Sequence, residues 1–294
     1  MTSDHDALVE DLSRQRGVVM LIGGPDTGKT TLARRVLAEG VRAGKSAAYV
    51  DADVGQTTSG PPTCVGLKWV RETADLDYLE VSDELRFVGA VSPERVVLQQ
   101  VTATATLVEA GRHGADLVVL DTTGAISGVV GQTLKYHKME LARPEVVVAL
   151  QRGGEMEPIV GMLRRFFSAN VEVMGVHPEV VPVSPEERRT YRAKRFAEAF
   201  GPPLSRWRVR PTVFAPTLPA GLDLGRLDRM LVGLQDRSGR CLGLGALEYG
   251  GEDTLRVITN SGEGMRGLRL GTLRIDLESF DTTRVDLRDV MFGV

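Results

Sequence analysis

Gly17-Val18-Val19-Met20-Leu21-Ile22-Gly23-Gly24-Pro25-Asp26-Thr27-Gly28-Lys29-Thr30-Thr31 decides the fold. The short apolar run before Gly23 reads as a buried strand, and Leu32, Val36, Leu37 and Val41 recur at helical spacing over residues 30–44. Between them Gly23 to Thr30 fits GxxxxGK[ST], in the strand–turn–helix context that a phosphate-binding loop needs. Backbone N–H groups of the turn and the helix N-terminus converge on phosphate oxygens; Lys29 spans the β- and γ-phosphates and the Thr30 hydroxyl can ligate Mg²⁺. A chance glycine turn would not also satisfy every fixed position and both flanks. The nucleotide set is therefore Gly23, Gly24, Pro25, Asp26, Thr27, Gly28, Lys29, Thr30 and Thr31.

Outward from this motif, apolar runs at residues 46–50, 85–91, 117–120, 146–150 and 171–176 predict further strands. Helices are expected to open at Ser92-Pro93, near Val129 and at Glu157-Pro158. Continuously apolar strands alternating with helices predict an α/β fold with a mostly parallel sheet. From about Arg208 the chain turns to short, Gly-punctuated strands at residues 231–234, 242–247, 254–259 and 268–275, which read as a small antiparallel β domain. With Gly201-Pro202-Pro203 as the breaker, the expected division is a P-loop domain over 1–205, carrying a lid helix around 185–200, and a C-terminal β domain over 206–294.

The chain has 294 residues, enough for two domains, and 42% hydrophobic with 26% charged residues is a globular composition. Thirty-six Lys+Arg against thirty-nine Asp+Glu leave a net charge of −3, so a nucleic-acid partner must be held by a local basic cluster. Cys64 and Cys241 are the only cysteines and form no CxxC, which excludes a disulfide framework and a zinc knuckle and points to the cytosol. The opening Met1-Thr2-Ser3-Asp4-His5-Asp6 is acidic where a targeting peptide would be basic, and no apolar run could span a bilayer.

Three further stretches carry chemistry. Asp51-Ala52-Asp53-Val54-Gly55-Gln56 follows the second strand, where open α/β sheets place their ligands, so one carboxylate of the pair can reach a metal or an incoming hydroxyl. Asp121-Thr122-Thr123-Gly124 ends the next strand; Asp121 is placed as a metal-coordinating or water-orienting acid, and the two threonine hydroxyls can hold phosphate or substrate oxygens. Arg188, Arg192 and Arg195 share one face of a helix begun by Ser184-Pro185-Glu186-Glu187, able to clamp a phosphoryl group or a nucleic-acid backbone. Alone, that run would read as a solvated face paired with Glu186, Glu187 and Glu198. His5, His113, His137 and His177 lie at no metal-ligand spacing and read as surface or cap histidines; Trp69 and Trp207 read as packing residues.

GGPDTGKTT, DADVGQTTSGPP, DTTG and RRTYRAKRFAEAF together resemble the polynucleotide 5′-hydroxyl kinases typified by the eukaryotic tRNA-splicing and mRNA 3′-end-processing kinase, the pre-rRNA-processing kinase, and their archaeal and bacterial relatives. The resemblance runs from about Gly17 to Phe200. It implies that Lys29 and Thr30 serve ATP and Mg²⁺, and that Asp53 orients or deprotonates a 5′-hydroxyl with Gln56 near the metal. It further implies that Thr122, with Thr123 and Gly124, belongs to a substrate clasp, and that Arg188 and Arg192, with Arg195 beside them, form a lid. Substrates would be RNA and/or DNA 5′-hydroxyl ends. The stretch before Gly17 is too short for the amino-terminal β domain of eukaryotic members, so a minimal version is expected. The rival expectation is a P-loop switch or assembly ATPase that phosphorylates nothing. A GTPase is disfavoured because neither Asn170 nor Asn260 begins an NKxD motif.

Overall fold

The structure is a computed structural model and describes residues 4–251 and 254–293. Of the acidic opening hexapeptide, Met1–Ser3 lie outside these residues. The described residues form two compact units: residues 4–60, 65–84 and 92–184 make up the first, and residues 61–64, 85–91, 185–251 and 254–293 the second.

Up to residue 184 the elements are α1 (Asp4–Arg14), β1 (Gly17–Gly23), α2 (Lys29–Arg42), β2 (Ala47–Ala52), β3 (Cys64–Val70), β4 (Glu84–Phe87), α3 (Val97–Gly114), β5 (Leu117–Thr122), α4 (Gly128–Ala142), β6 (Val146–Gln151), α5 (Glu157–Phe166) and β7 (Asn170–Gly175). Strands run in the order β3-β2-β5-β1-β6-β7, with β3 antiparallel to β2 and the other pairs parallel. Every residue of β2 and β5 is buried, as uninterrupted apolar strands in a parallel sheet should be. One core joins α1, α2 and the sheet, with Leu8, Leu12, Leu32, Val36, Leu37, Val119 and Val148 at its heart. Pairing sets Asp121 opposite both Leu21 and Asp51, so the carboxyl ends of β1, β2 and β5 finish level with one another. Ligands of open α/β sheets bind at that edge.

Two local expectations shift. Helix α3 starts at Val97 instead of at Ser92-Pro93, because Arg95 adopts a φ of 67° and the preceding residues close a turn through Val96 N and Pro93 O at 3.1 Å. The strand expected over 85–91 stops at Phe87, where the N–H groups of Val88 and Gly89 both turn to Thr63 O. Strand β3 was hidden by its Gly66 and Lys68, which interrupt the apolar pattern.

The second unit contains α6 (Pro185–Ala199), β8 (Ser205–Val209), β9 (Met230–Gln235), β10 (Cys241–Tyr249), β11 (Leu255–Thr259), β12 (Gly267–Ile275), β13 (Thr282–Arg284) and α7 (Leu287–Phe292). Its sheet is antiparallel in the order β13-β12-β9-β10-β11-β8. Helix α6, which carries the arginine run, groups with this unit and not with the P-loop. The cause is apolar: Phe196 and Phe200 are buried in one cluster with Leu231, Leu244 and Ile275.

Candidate active site

The phosphate turn leaves β1 at Gly23 and enters α2 through Gly28, whose φ of 84° is a left-handed conformation that glycine adopts without strain. Lys29 is buried, and its Nζ donates to Gly24 O at 2.7 Å, to Gly23 O at 3.2 Å and to Thr27 Oγ1 at 3.4 Å. Burial lowers its pKa, although Asp121, Asp53 and Asp26 pull the other way. The turn is braced from outside: Asp26 Oδ2 accepts from Val183 N at 3.0 Å, and Arg152 donates to the carbonyls of Pro25 and Asp26.

Thr30 Oγ1 donates to Asp121 Oδ2 at 2.6 Å, and the Tyr49 hydroxyl donates to the same oxygen at 3.1 Å. Burial raises the Asp121 pKa, against the pull of Lys29 and these hydroxyl donors. Tyr49 is driven well above its ordinary value, by burial first and by the two aspartates next.

The two carboxylates after β2 divide their tasks. Asp51 is fully enclosed: Oδ2 accepts from Thr58 N at 2.5 Å, Ser59 N at 2.9 Å and Thr57 Oγ1 at 3.2 Å, and Oδ1 from Asp53 N at 2.9 Å. It is the knot that folds the loop back on itself. Burial, with Asp121 and Asp53 behind it, pushes its pKa up to about 7, while the N–H groups of Ser59 and Asp53 restrain the rise. Asp53 is half-buried, its Oδ1 accepting from Gly55 N and Gln56 N, both at 3.0 Å. Gln56 is half-buried as well and donates from Nε2 to Gly55 O.

At the end of β5 the structure uses the hydroxyl of Thr122 internally. Thr122 Oγ1 donates to Leu21 O at 2.8 Å and accepts from Lys135 Nζ at 2.8 Å, and the residue is completely buried. Thr123 is also buried, its carbonyl receiving Lys135 Nζ at 2.6 Å. Gly124 comes so close to the phosphate turn that a Cβ there would lie 2.6 Å from Pro25 N, which only glycine tolerates.

Sequence reasoning missed the two lysines behind this edge. Lys135 and Lys138 lie one turn apart on α4, both wholly buried, with Lys138 Nζ 3.4 Å from Ala52 O. Burial lowers both pKa values, Lys135 well below the ordinary lysine value and Lys138 to about 7, where Asp53, Asp51 and Asp121 oppose the fall. The available signal was positional: they share the buried stripe of Gly131, Leu134, Met139 and Ala142.

On α6, Arg188 and Arg192 are half-buried while Arg195 is buried and pairs with Glu198 at 2.5 Å on its own helix. The face expected to carry three arginines thus holds two partly exposed ones and one turned into the unit. Arg189, one position off that face, pairs with Asp281 at 2.9 Å.

The site fits Mg²⁺, which favours hard oxygen donors and keeps waters and phosphate oxygens in its shell. Thr30 and Asp121 offer a hydroxyl and a carboxylate at one point. No three acidic, imidazole or thiol groups among the described residues form a protein-only metal cage.

A glycine-cradled lysine, a hydroxyl–carboxylate pair and an acidic loop on adjoining strand ends define a P-loop nucleoside-triphosphate-binding protein. Residues 23–201 match the family described as mRNA cleavage and polyadenylation factor CLP1 P-loop, and the chain belongs to that family. It is 27% identical to the polyribonucleotide 5′-hydroxyl-kinase of Methanocaldococcus jannaschii, over 88% of this chain and 87% of that protein. It is 28% identical to that of Pyrococcus furiosus, over 87% of each chain. Several relatives therefore bear the name of a phosphotransferase. In fold, the chain matches the structure of the wild-type Clp1p–Pcf11p complex with a TM-score of 0.67 at 14% identity, covering 92% of this chain and 77% of that one. Among the described residues no helix is long and apolar enough to cross a membrane.

Proposed function

We propose that this protein is an ATP- and Mg²⁺-dependent polynucleotide 5′-hydroxyl kinase acting on RNA and/or DNA ends. The observation that carries the reading is the level alignment of the Lys29 turn with Asp121 and the Asp51–Gln56 loop on adjoining strand ends. Such an edge suits a phosphoryl donor beside a carboxylate base for the attacking hydroxyl. A cytosolic setting agrees with its two free cysteines, Cys64 and Cys241.

Phosphoryl transfer asks a protein chiefly for positioning and charge neutralisation. The turn from Gly23 to Thr31 cradles the phosphates, and Lys29 moves its ammonium from the loop carbonyls to the β- and γ-oxygens. Thr30 and Asp121, together with Asp53 and Gln56, would hold Mg²⁺, which would supply neutralisation of phosphate charge. The 5′-oxygen bonds to the γ-phosphorus, the bridging P–O bond breaks to release ADP, and the hydroxyl proton passes to the Asp53 carboxylate. Asp51, Thr122, Lys135 and Lys138 act as positioning residues that fix the strand ends. Thr123 and Gly124 shape the substrate side of the phosphate turn. Arg188 and Arg192 supply the lid charges, and Arg195 anchors their helix.

The test is incubation with γ-labelled ATP and a 5′-hydroxyl RNA or DNA oligonucleotide, against ATP alone. Label on the oligonucleotide 5′ end is the expected result, and Lys29→Ala should abolish it in a folded protein. Label released only as inorganic phosphate would instead mark a switch or assembly ATPase.

A further inference from the structure

Strand β8 closes one edge of the second unit's sheet, with β11 on its inner side. Ser205 to Arg208 are exposed and Val209 is buried. The antiparallel register sets Arg206 opposite Ile258, Trp207 opposite Val257 and Arg208 opposite Arg256. Alternation along a strand then puts Arg206 and Arg208 on one face, and the extended backbone of the exposed Arg210, with φ −98° and ψ 151°, carries a third arginine onto it. Same-face neighbours on a strand stand about 7 Å apart, a spacing that an extended polynucleotide can match phosphate for phosphate.

This face is not balanced in charge. Glu248 on β10, level with Arg256, is the one acidic residue of β8, β10 and β11, against Arg206, Arg208 and Arg256. Its Oε1 accepts from Arg206 Nε at 3.1 Å and its Oε2 from Arg256 Nη1 at 3.3 Å, so both oxygens are taken. Among the described residues Arg208 and Arg210 form no ion pair. Arginines on an edge strand deter sheet-to-sheet pairing, but that task does not call for Arg208 in direct register with Arg256, where like charges repel. A bound anion relieves the repulsion.

Trp207 stands on the opposite face of the same strand. Its indole rests on Gly262, where any Cβ would collide with Nε1, and 40% of the residue stays exposed. Unpaired guanidiniums on one side of an edge and an open indole on the other are the two parts of a single-strand nucleic-acid site, a basic track and a stacking platform. An acidic peptide would need only the first.

We propose that the outer edge of β8 is an accessory site for single-stranded polynucleotide, Arg208 and Arg210 meeting backbone phosphates and Trp207 stacking on a base. The proposal rests on the kinase reading for its ligand, the nucleotides of a substrate beyond the reacting 5′ end, and on β8 itself for the site.

Anisotropy of a fluorescein-tagged single-stranded 5′-hydroxyl RNA of about twenty nucleotides, titrated with the full chain at several salt concentrations, tests it beside transfer kinetics on that RNA and on a trinucleotide. Arg208→Ala combined with Arg210→Ala should weaken the long RNA about tenfold and make the plot of log Kd against log salt shallower by ~1.4, two phosphate contacts at ~0.7 each. Trp207→Ala should also cost about tenfold, and Trp207→Phe, which keeps a stacking face, should stay within about threefold of the parent. In the weakened variants KM for the long RNA should rise, while kcat and the trinucleotide kinetics stay at parent values. The two arginines are exposed and unpaired among the described residues, so their variant keeps the test open should Trp207→Ala unfold. Parent-like affinity and salt slope in the arginine variant would overturn the proposal, and so would an equal loss on the trinucleotide. Displacement of the RNA by polyglutamate at matched charge would give the edge to an acidic protein segment instead. A parent protein that binds the long RNA through these residues but labels no oligonucleotide refutes the kinase reading alone; one that labels both substrates with the same KM refutes the edge site alone.

Discussion

Thr30 Oγ1 and Asp121 Oδ2, ninety-one positions apart in sequence, meet at 2.6 Å and join the first turn of α2 to the end of β5. A hydroxyl and a carboxylate at one point are the ordinary protein share of a nucleotide-bound Mg²⁺ site. Asp121→Asn retains the contact geometry and removes the charge. We expect the Mg²⁺ concentration for half-maximal transfer to rise about tenfold or more, equivalent to ~1.4 kcal/mol of lost ion affinity. A magnesium titration at saturating ATP measures it, and an unchanged midpoint would remove Asp121 from the metal site.

Asp51 and Asp53 should separate by the kind of damage their amides cause. Asp51→Asn puts an NH₂ group where carboxylate oxygens now receive three N–H donors and a hydroxyl, so a buried clash of donors follows. Its cost should be about 2 kcal/mol of stability, read as a lower chemical-denaturation midpoint. Asp53→Asn keeps an acceptor for Gly55 N and Gln56 N and should leave the midpoint nearly unchanged. Its transfer rate should fall by about 10²-fold or more, as expected on removing a proton acceptor. Reversed phenotypes would exchange the two roles.

Lys138 offers a pH signature. With its folded pKa lowered to about 7, by burial above all, against an ordinary 10.5, the unfolded chain holds its proton between those values while the folded chain has released it. Stability must then rise with pH across that window and be lost again as pH falls toward 7. Lys138→Met removes this contribution, so the parent's stability relative to the variant should climb between about pH 7 and 10.5. Urea unfolding of both proteins at several pH values decides it; parallel curves would mean that Lys138 keeps its charge in the fold.

Local signals made the P-loop half legible. Gly23 to Thr30 announced its own strand and helix, and β1, β2, β5 and β6 were continuous apolar runs that only a covered parallel sheet explains. Strand β3 and strand β8 were not legible, because Gly66 and Lys68 dilute one and Arg206 and Arg208 the other, and cross-strand pairing outweighs such weak patterns. In the site, residue types named the chemistry while burial assigned the parts. Nothing local distinguishes Asp51, enclosed by donors, from half-exposed Asp53, or shows that the Thr122 hydroxyl is spent on Leu21 and Lys135. Lys135 and Lys138 resembled ordinary surface lysines because their partners come from β2 and β5, distant in sequence.

Arg188 and Arg192 lie one helical turn apart and both are half-buried, whereas Arg195 on the same face is committed to Glu198. If the first two close on a transferring phosphoryl group, their planar forks matter as well as their charge, and lysine reproduces only the charge. Arg188→Lys and Arg192→Lys should therefore lower the single-turnover transfer rate by about tenfold, ~1.4 kcal/mol each, while changing oligonucleotide affinity little. Arginines that merely attract a nucleic-acid backbone behave differently: Lys variants stay at the parent rate, and Ala variants lose affinity with a shallower salt dependence. Arg195→Lys serves as the internal contrast, since its effect should fall on the melting temperature through the Glu198 pair and leave the rate per folded molecule unchanged. Transfer rates at saturating oligonucleotide and two salt concentrations separate these outcomes, and parent-like rates in both Lys variants would take Arg188 and Arg192 out of the chemistry.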